Sequence, residues 1–361
     1  MNLSDIAQLR LQSQRIGRTP FATVAAVVRH LGAVQAQDIP SALWAVGLRM
    51  KRANEQTILD ALAEQRIVRT WPMRSTLHFV AREDVRWMLD LMTPRVLSAY
   101  AHRMRMHGIT TATYDKSRVL FEKALKGGKA LTREELYAVL ESAGIPAKRA
   151  SLGLHIIGRL AHEQLLCFGP RRGKQQTLVL LDEWVPRVGK PRDRDDALRE
   201  LAIRYFTSHG PAQEKDLAWW SGLALKDIRA GIAHAVKALT SVAVEGTTYW
   251  MAPRRVVPQK TGEAFLLPSF DEFFVAYRDR SASLEAMHTH HINPGANGML
   301  QPIIVVDGQV LGTWKRVITK DTVQISLHFF NKPSPEVKTA VHEAGERYAH
   351  FLRLSLELKK G

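Results

Sequence analysis

The feature that most constrains the fold of this chain is an order of elements that recurs along it. The clearest copy lies at 195–252, where apolar residues at helical spacing predict a long helix and Gly222 ends a short second one. A third helix is predicted through Val236 and Leu239, and two strands flank a polar turn at Gly246. Three helices followed by a hairpin predict the winged-helix form of the helix-turn-helix.

Two further copies precede this one. In the middle copy, a capping box formed by Thr132 and Glu135 opens a helix, and another helix and two strands follow. The N-terminal third is less regular, with a helix predicted at 19–31 and a hairpin at 66–80. A long helix predicted at 85–104 links this copy to the next.

The sequence therefore predicts an α+β fold that is mainly helical, with three tandem winged-helix units forming a C-shaped cradle and an α+β C-terminal region. In that last region, Asp307-Gly308 predicts a hairpin turn, and Ser334-Pro335 opens a final helix to about Leu358. The predicted boundaries are 1–108 for unit 1 with its connecting helix, 109–190 for unit 2, 191–253 for unit 3 and 254–361 for the C-terminal region.

The charge of the chain indicates a polyanionic partner. There are 51 Lys and Arg against 35 Asp and Glu, which gives a formal net charge of +16. Each phosphate that Lys or Arg neutralises releases a condensed counterion, so nucleic acid is a natural ligand. A solvated basic surface without such a ligand is the alternative that composition leaves open.

The cysteine count and the hydropathy of the chain indicate where in the cell the protein is expected. The single cysteine, Cys167, excludes an intrachain disulfide and is typical of a reducing environment. It lies in an apolar stretch, where a buried structural thiol is expected rather than a nucleophile. No apolar run approaches the ~20 residues that span a bilayer, and the N-terminus has no signal-peptide core. A soluble cytoplasmic protein, associated with the nucleoid and not with a membrane, is expected.

A loop of unit 2 is a candidate DNA-binding element. It places Arg171, Arg172 and Lys174 at the predicted wing tip, where cations commonly contact backbone phosphates. Exposed loops are often charged without binding anything, so that alternative stays open.

The hairpin of unit 1 carries a second group of candidate DNA-binding residues: Arg69, Arg74, Thr76 and His78. Thr76 and His78 share one face of the predicted strand because side chains alternate along it. The hairpin is expected to line a DNA channel and to hold phosphates. For His78, a core histidine with satisfied hydrogen bonds is the alternative.

Several segments resemble a known family. They are GAVQAQDIP at 32–40, VRTWPMRSTLH at 68–78, LPSFDE at 267–272 and PIIVVDG at 302–308. Spread in order over nearly the whole chain, they resemble the AlkZ/YcaQ winged-helix DNA glycosylases. The resemblance implies a monofunctional glycosylase that removes bulky or cross-linked N7-alkylated purines.

The resemblance also implies a Gln-x-Gln or Gln-x-Asp pair in a basic channel. That pair falls on Gln35 and Gln37. The segment Gln35-Ala36-Gln37 matches the AlkZ branch, whereas the YcaQ branch has aspartate at the third position. From the residues alone, a polar loop after a helix is the alternative. The neighbouring Asp38 is expected to cap the next helix, and Trp44 is a candidate for packing under the lesion.

The chemistry agrees with the resemblance. Alkylation at N7 gives the purine a full positive charge, so the base leaves without protonation and the sugar develops oxocarbenium character. A glutamine carbonyl accepts a hydrogen bond from the attacking water, but it is not a general base. A neutral pair therefore predicts cationic lesions as substrates and weak activity on uncharged bases such as uracil.

The remaining candidates have structural explanations. Asp271 and Glu272 are expected to form salt bridges, and the histidines at 287–291 lack a carboxylate or cysteine at a metal-binding spacing. No metal and no cofactor are expected. Double-stranded DNA with alkylated bases is the expected partner of a monomer. A non-enzymatic winged-helix regulator and a protein that only sequesters lesions are the alternative functions.

Overall fold

The computed structural model describes residues 1–17, 20–106, 108–253, 257–295 and 297–359. Its helices and strands confirm the predicted α+β class. Within these ranges, no helix is both long and apolar enough to cross a bilayer.

Unit 1 combines an N-terminal helix with helices on an antiparallel sheet. Side chains set the helix starts, because Thr23, Asp38 and Asn54 each accept a hydrogen bond from a backbone N–H in the first turn. The elements are α1 (Leu3–Ser13), α2 (Val24–Leu31), β1 (Ala33–Gln35), α3 (Ile39–Gly47), α4 (Glu55–Ala63), β2 (Ile67–Met73), β3 (Thr76–Ala81) and α5 (Val85–Met106). The strand order is β1-β3-β2.

Two details of unit 1 differ from the prediction. The helix α2 begins at Val24, behind its Thr23 cap, and the predicted start at Thr19 lies outside the described residues. The sequence does not predict β1, because three residues are too few to show an alternating pattern. The strand nevertheless pairs with β3 along its whole length.

Unit 2 repeats this order of elements. Thr132 and Glu135 exchange hydrogen bonds of 3.2 and 2.7 Å, which confirms the predicted capping box. Cys167 is a buried thiol, as predicted, and burial raises its pKa. The elements are α6 (Thr111–Leu125), β4 (Leu131–Thr132), α7 (Arg133–Ser142), α8 (Leu152–His162), β5 (Leu166–Phe168), β6 (Thr177–Leu180) and α9 (Leu181–Trp184). The sheet has the order β4-β6-β5.

Unit 3 contains α10 (Arg194–Ser208), α11 (Glu214–Ser221), α12 (Leu225–His234), β7 (Thr240–Val244) and β8 (Thr247–Met251). Gly222 ends α11 in the left-handed conformation, with φ of 74°, as its position predicts. The predicted third helix is too long, because α12 ends at His234 and Val236 is exposed instead of packed.

The three units share one order: a helix, a short strand, two helices and a β-hairpin. The short strand is β1 in unit 1 and β4 in unit 2. In unit 3 it is reduced to an antiparallel bridge between Ala212 and Trp250. The sequence did not predict these short strands, because segments of this length are too short to show a periodic pattern.

The C-terminal region is a mixed sheet with a long helix. Its elements are β9 (Ala264–Leu267), α13 (Glu272–Val275), α14 (Thr289–Ile292), β10 (Ile303–Val306), β11 (Gln309–Ile318), β12 (Thr322–Phe329), α15 (Pro335–Leu352) and β13 (Ser355–Lys359). The strand order is β13-β12-β11-β10-β9. The predicted boundary with unit 3 falls at 254, and residues 254–256 lie outside the described ranges.

The predicted hairpin at Asp307-Gly308 is confirmed, since it joins β10 to β11 with φ of 48° and 83°. The predicted final helix is wrong at its end. Arg353 takes a left-handed φ of 59° after α15, and the chain turns back as β13, parallel to β12. Leu356 and Leu358 then pack against the core as alternating strand residues.

The core joins the units to one another. Apolar residues of α2 and α3, such as Val27 and Leu43, share a cluster with Tyr348 of α15. The helix α1 packs on the hairpin of unit 3, where Ile6 and Tyr249 belong to one cluster. One apolar cluster thus joins unit 1 to the C-terminal region, and another joins α1 to unit 3.

Candidate active site

The predicted glutamine pair lies at the end of β1. Gln35 is opposite His78 in the pairing with β3, and the Ala36 N–H continues the pairing by donating to the Leu77 carbonyl over 2.7 Å. The side-chain oxygen of Gln37 accepts a hydrogen bond of 3.0 Å from the Leu77 N–H. Gln35 is the last residue of β1, and Gln37 lies in the bend that follows it. Gln35 is thus part of a sheet, and the polar-loop alternative is wrong for it.

The two glutamines differ in exposure. Gln35 is 7% exposed, and its side-chain oxygen accepts a 3.4 Å hydrogen bond from Nη2 of Arg74. Gln37 is exposed to solvent. Each amide oxygen has one donor that fixes its direction, and its second lone pair is left to accept another hydrogen bond. Gln35 thus supplies a buried oriented acceptor and Gln37 an exposed one, and a water molecule can donate hydrogen bonds to such groups.

A buried carboxylate supports β1 from the C-terminal region. Oε1 of Glu272 accepts a 2.9 Å hydrogen bond from the Gln35 N–H, and Oε2 accepts one of 2.8 Å from the Trp220 indole. Nε2 of His209 lies 3.6 Å from Oε2. Burial raises the pKa of Glu272, but His209 and the Gln35 N–H outweigh it, so the pKa lies below its usual value. Glu272 is therefore an anion at neutral pH.

Arg74 occupies the tight turn between β2 and β3. Arg74 and Ser75 have φ of 52° and 58°, the left-handed values of a two-residue hairpin turn, which strain non-glycine residues. From this turn the guanidinium donates to the Trp219 carbonyl over 3.1 Å as well as to Gln35. Burial lowers the pKa of Arg74, and Glu272 partly opposes this. The turn thus links unit 1 to unit 3 beside the glutamines.

Arg69 lies behind the glutamine segment in a desolvated position. It is 6% exposed, its Nε donates to the Ala36 carbonyl over 3.1 Å, and its guanidinium lies 4.4 Å from the centre of the Phe168 ring. Burial and the nearby Arg171 lower its pKa to about 10, with Asp38 opposing them. A buried cation beside a second cation is costly unless an anion joins them. Within the described contacts, Arg69 thus has a second cation, Arg171, as a close electrostatic neighbour.

The predicted wing loop of unit 2 borders unit 1. Arg171 and Lys174 are exposed, whereas Arg172 forms an ion pair of 2.7 Å with Glu135. A cleft of about 240 Å³ separates this loop from α4, and Arg69 and Arg171 both line it. The structure brings these two arginines together, although they belong to different units.

His78 does not reach the surface. Its ring is fully buried, Nδ1 lies 3.0 Å from the Thr76 carbonyl, and Nε2 has no hydrogen-bond partner within the described part of the chain. Burial and Arg74 lower its pKa to about 4, so the ring is neutral at pH 7. The structure contradicts the predicted DNA contact of His78, because a phosphate cannot approach a fully buried ring. Thr76 is half-buried, and its hydroxyl donates to the Met73 carbonyl.

Asp38, Asp271 and Trp44 all have structural roles. Asp38 accepts a 3.1 Å hydrogen bond from the Ser41 N–H, which confirms it as the cap of α3. Asp271 forms the predicted salt bridge, with two hydrogen bonds of 2.8 and 2.9 Å from Arg49, and both side chains are fully buried. Trp44 does not face a lesion, because it is 3% exposed and packs in the core.

The histidines near 290 cluster by stacking. The rings of His288 and His291 lie 4.4 and 5.1 Å from that of Phe330, nearly parallel to it. Among the residues that the structure describes, no group of three or more His, Cys, Asp or Glu is placed to hold a metal ion.

Sequence reasoning missed two residues beside the glutamines. It assigned Glu272 to a salt bridge, and His209 lies 3.6 Å from that carboxylate, but it did not predict that Glu272 also accepts a hydrogen bond from the Gln35 N–H. Trp219 is 46% exposed and adjoins Arg74, although the Trp219-Trp220 pair in α11 looks like core. The sequence around Glu272 and around Trp219 does not distinguish either residue from one with a purely structural role.

The fold has a known counterpart. The solved structure of the Streptomyces sahachiroi DNA glycosylase AlkZ matches with a TM-score of 0.82 at 23% identity, over 99% of this chain and 100% of that one. A relative from the same organism, named an interstrand DNA cross-link repair glycosylase, is 26% identical over 360 residues, which cover 96% of this chain and 94% of the relative. The protein is a DNA glycosylase, an enzyme that acts on DNA.

The model of the AlkZ-like DNA glycosylase family matches residues 28–351, and the chain belongs to this family. The resemblance stated from the sequence is thereby confirmed.

Proposed function

We propose that this glycosylase hydrolyses the N-glycosidic bond of cationic N7-alkylated purines, with Gln35 and Gln37 positioning the attacking water. The observation that carries the proposal is the pair of oriented amide oxygens at the end of β1. Because Gln37 is exposed, a bulky adduct can approach without entering a deep pocket. The name of the Streptomyces relative specifies interstrand cross-links, so we include bulky and cross-linked purines in the proposed substrate range.

In the proposed reaction, the water donates one hydrogen bond to each glutamine oxygen, and its lone pair then points to C1′ of the sugar. The bond between C1′ and the purine nitrogen breaks with both electrons moving to the cationic base, which leaves as a neutral molecule. The water oxygen bonds to C1′, and the surplus proton passes to solvent because an amide is not a base. The products are a free alkylpurine and an abasic site.

The three repeated units are proposed to be winged helices that form a C-shaped cradle around duplex DNA. The repeated order of elements and the net charge of +16 support this. We further propose that the protein acts as a monomer on DNA in the cytoplasm. The proposed DNA-binding residues are Arg69, Arg74, Thr76, Arg171, Arg172 and Lys174.

Base release from methylated duplex DNA tests the reaction. The protein should liberate 7-methylguanine and leave abasic sites that alkali cleaves. Gln37→Ala should slow single-turnover release on the order of 10²-fold, the usual cost of removing one preorganised polar contact, with little loss of DNA affinity. Gln324→Ala is the matched control, because this glutamine of β12 donates a hydrogen bond to Glu357 of β13 in the C-terminal region.

Two results would contradict the proposal. One is a wild-type protein that binds alkylated DNA but releases no base from methylated or bulkier N7 adducts, as a lesion-sequestering protein would. The other is a Gln37→Ala variant with the wild-type rate.

A further inference from the structure

One charged group beside the glutamine pair has no part in the hydrolysis described above. The carboxylate of Glu272 on α13 is fully buried and accepts hydrogen bonds from two other parts of the chain. The Gln35 N–H of β1 donates to one oxygen, and the Trp220 indole of α11 donates to the other. Glu272 therefore contacts the backbone of a residue that is proposed to position the water.

Two basic side chains lie near the Glu272 carboxylate. His209 lies 3.6 Å away, and Arg74 is half-buried on the side-chain side of Gln35. His78 adds no charge at pH 7, because burial lowers its pKa to about 4. Burying an ionised carboxylate costs free energy. A neutral glutamine could also accept the Gln35 N–H, so the hydrogen bond alone does not explain a charged group here.

We propose, resting on the proposed hydrolysis, that Glu272 is a positioning residue that holds Gln35 in place and whose negative charge favours the cationic sugar of the transition state. Loss of the base places positive charge at C1′, beside the water that Gln35 directs. A unit charge within about 5 to 10 Å, at an effective dielectric constant of about 20, changes the binding of a cation by roughly tenfold to three-hundredfold.

The test compares two duplexes that differ in the charge of the sugar analogue. One contains a pyrrolidine, whose protonated nitrogen mimics the cationic sugar, and the other a neutral tetrahydrofuran. The wild-type protein should bind the pyrrolidine duplex more tightly. Glu272→Gln should reduce that preference by about tenfold or more and slow base release, because it removes the charge and keeps the shape.

Two further variants separate the charge from the hydrogen bonds. Glu272→Asp keeps the carboxylate and should keep most of the preference for pyrrolidine. Trp220→Phe removes the indole donor to Oε2 without removing the charge, and it should also keep the preference. Glu285→Gln, at an exposed position, controls for the loss of one negative charge elsewhere.

A purely structural role predicts a different result, in which Glu272→Gln weakens both duplexes equally. That result, or a wild-type protein with no preference for pyrrolidine, would overturn the proposal. If Glu272→Gln fails to fold, Glu272→Asp decides the matter, because equal weakening of both duplexes by that variant also overturns it. Absence of base release by the wild-type protein is a separate outcome that refutes the proposed hydrolysis, whatever the binding preference.

Discussion

Arg69 offers a prediction in which stability and DNA binding change in opposite directions. Its guanidinium is 6% exposed, hydrogen-bonds to the neutral Ala36 carbonyl and is affected by the like charge of Arg171. The folded protein without DNA therefore bears the cost of this buried cation. Arg69→Met removes the charge and keeps much of the side-chain volume.

The size of the effect follows from the pKa of Arg69. Burial and Arg171 lower it from 12.5 to about 10. A pKa difference of one corresponds to about 1.4 kcal/mol of free energy. Keeping the Arg69 guanidinium charged therefore costs the folded state about 3 kcal/mol. Because the folded-state pKa is the lower one, this cost is present throughout the pH range below it. The substitution also loses the bond to Ala36 and the contact with Phe168, each worth about 1 kcal/mol. We therefore expect a net stabilisation of about 1 kcal/mol.

Urea unfolding followed by circular dichroism measures this stability, and fluorescence anisotropy over a salt series measures DNA binding. Since Arg69→Met lacks one proposed phosphate contact, the slope of log K against log salt should become shallower by about 0.9. Arg66→Met is the control, because Arg66 is exposed and pairs with Glu64 just before β2. A destabilised Arg69→Met protein, or an unchanged salt slope, would refute the anion-binding role.

The remaining predictions concern buried charges. Asp271→Asn leaves the Arg49 guanidinium buried without its carboxylate. It should lower the free energy of unfolding, measured in urea, by about 3 to 5 kcal/mol. A loss below about 1 kcal/mol would contradict a buried ion pair. The pKa of His78 is about 4 in the folded protein, against 6.5 for an unperturbed histidine. The unfolded chain therefore binds the proton first, and stability falls as the pH drops through this window. His78→Leu should reduce that fall by up to about 3 kcal/mol; equal pH dependence in both proteins would show that His78 is not the titrating group.

Elements with local signals were predictable from the sequence. The capping box at Thr132 and Glu135, the end of α11 at Gly222 and the turn at Asp307-Gly308 each follow from a few neighbouring residues. The backbone geometry at such positions depends on side chains within one turn, so a single sequence carries the information.

The secondary-structure predictions were wrong or incomplete where contacts between residues far apart in the sequence determine the structure. The apolar residues after Leu352 suit a helix as well as a strand, and pairing with β12 makes them β13. Val236 continues a helical stripe, yet α12 has already ended at His234. Only three residues form β1, and its partner β3 lies more than forty residues further along the chain. In such cases the pairing partner, not the local pattern, selects the structure.

In the candidate site too, some features follow from the local sequence and others depend on tertiary contacts. The amide chemistry of Gln35 and Gln37 can be stated from the residue types and the family resemblance. The contact between Gln35 and Glu272 joins residues separated by 237 positions, so no local pattern predicts it. The meeting of Arg69 with Arg171 likewise requires two units to pack together.

By itself, the sequence determined the helix and hairpin order, the positive charge and the identity of the two amides, because these depend on nearby residues or on composition. The tertiary structure alone decided that His78 is neutral, that Arg69 is desolvated and that Glu272 is an anion behind Gln35. The physical reason is that protonation depends on the loss of water and on nearby charges, and both are set by segments that meet only when the chain folds.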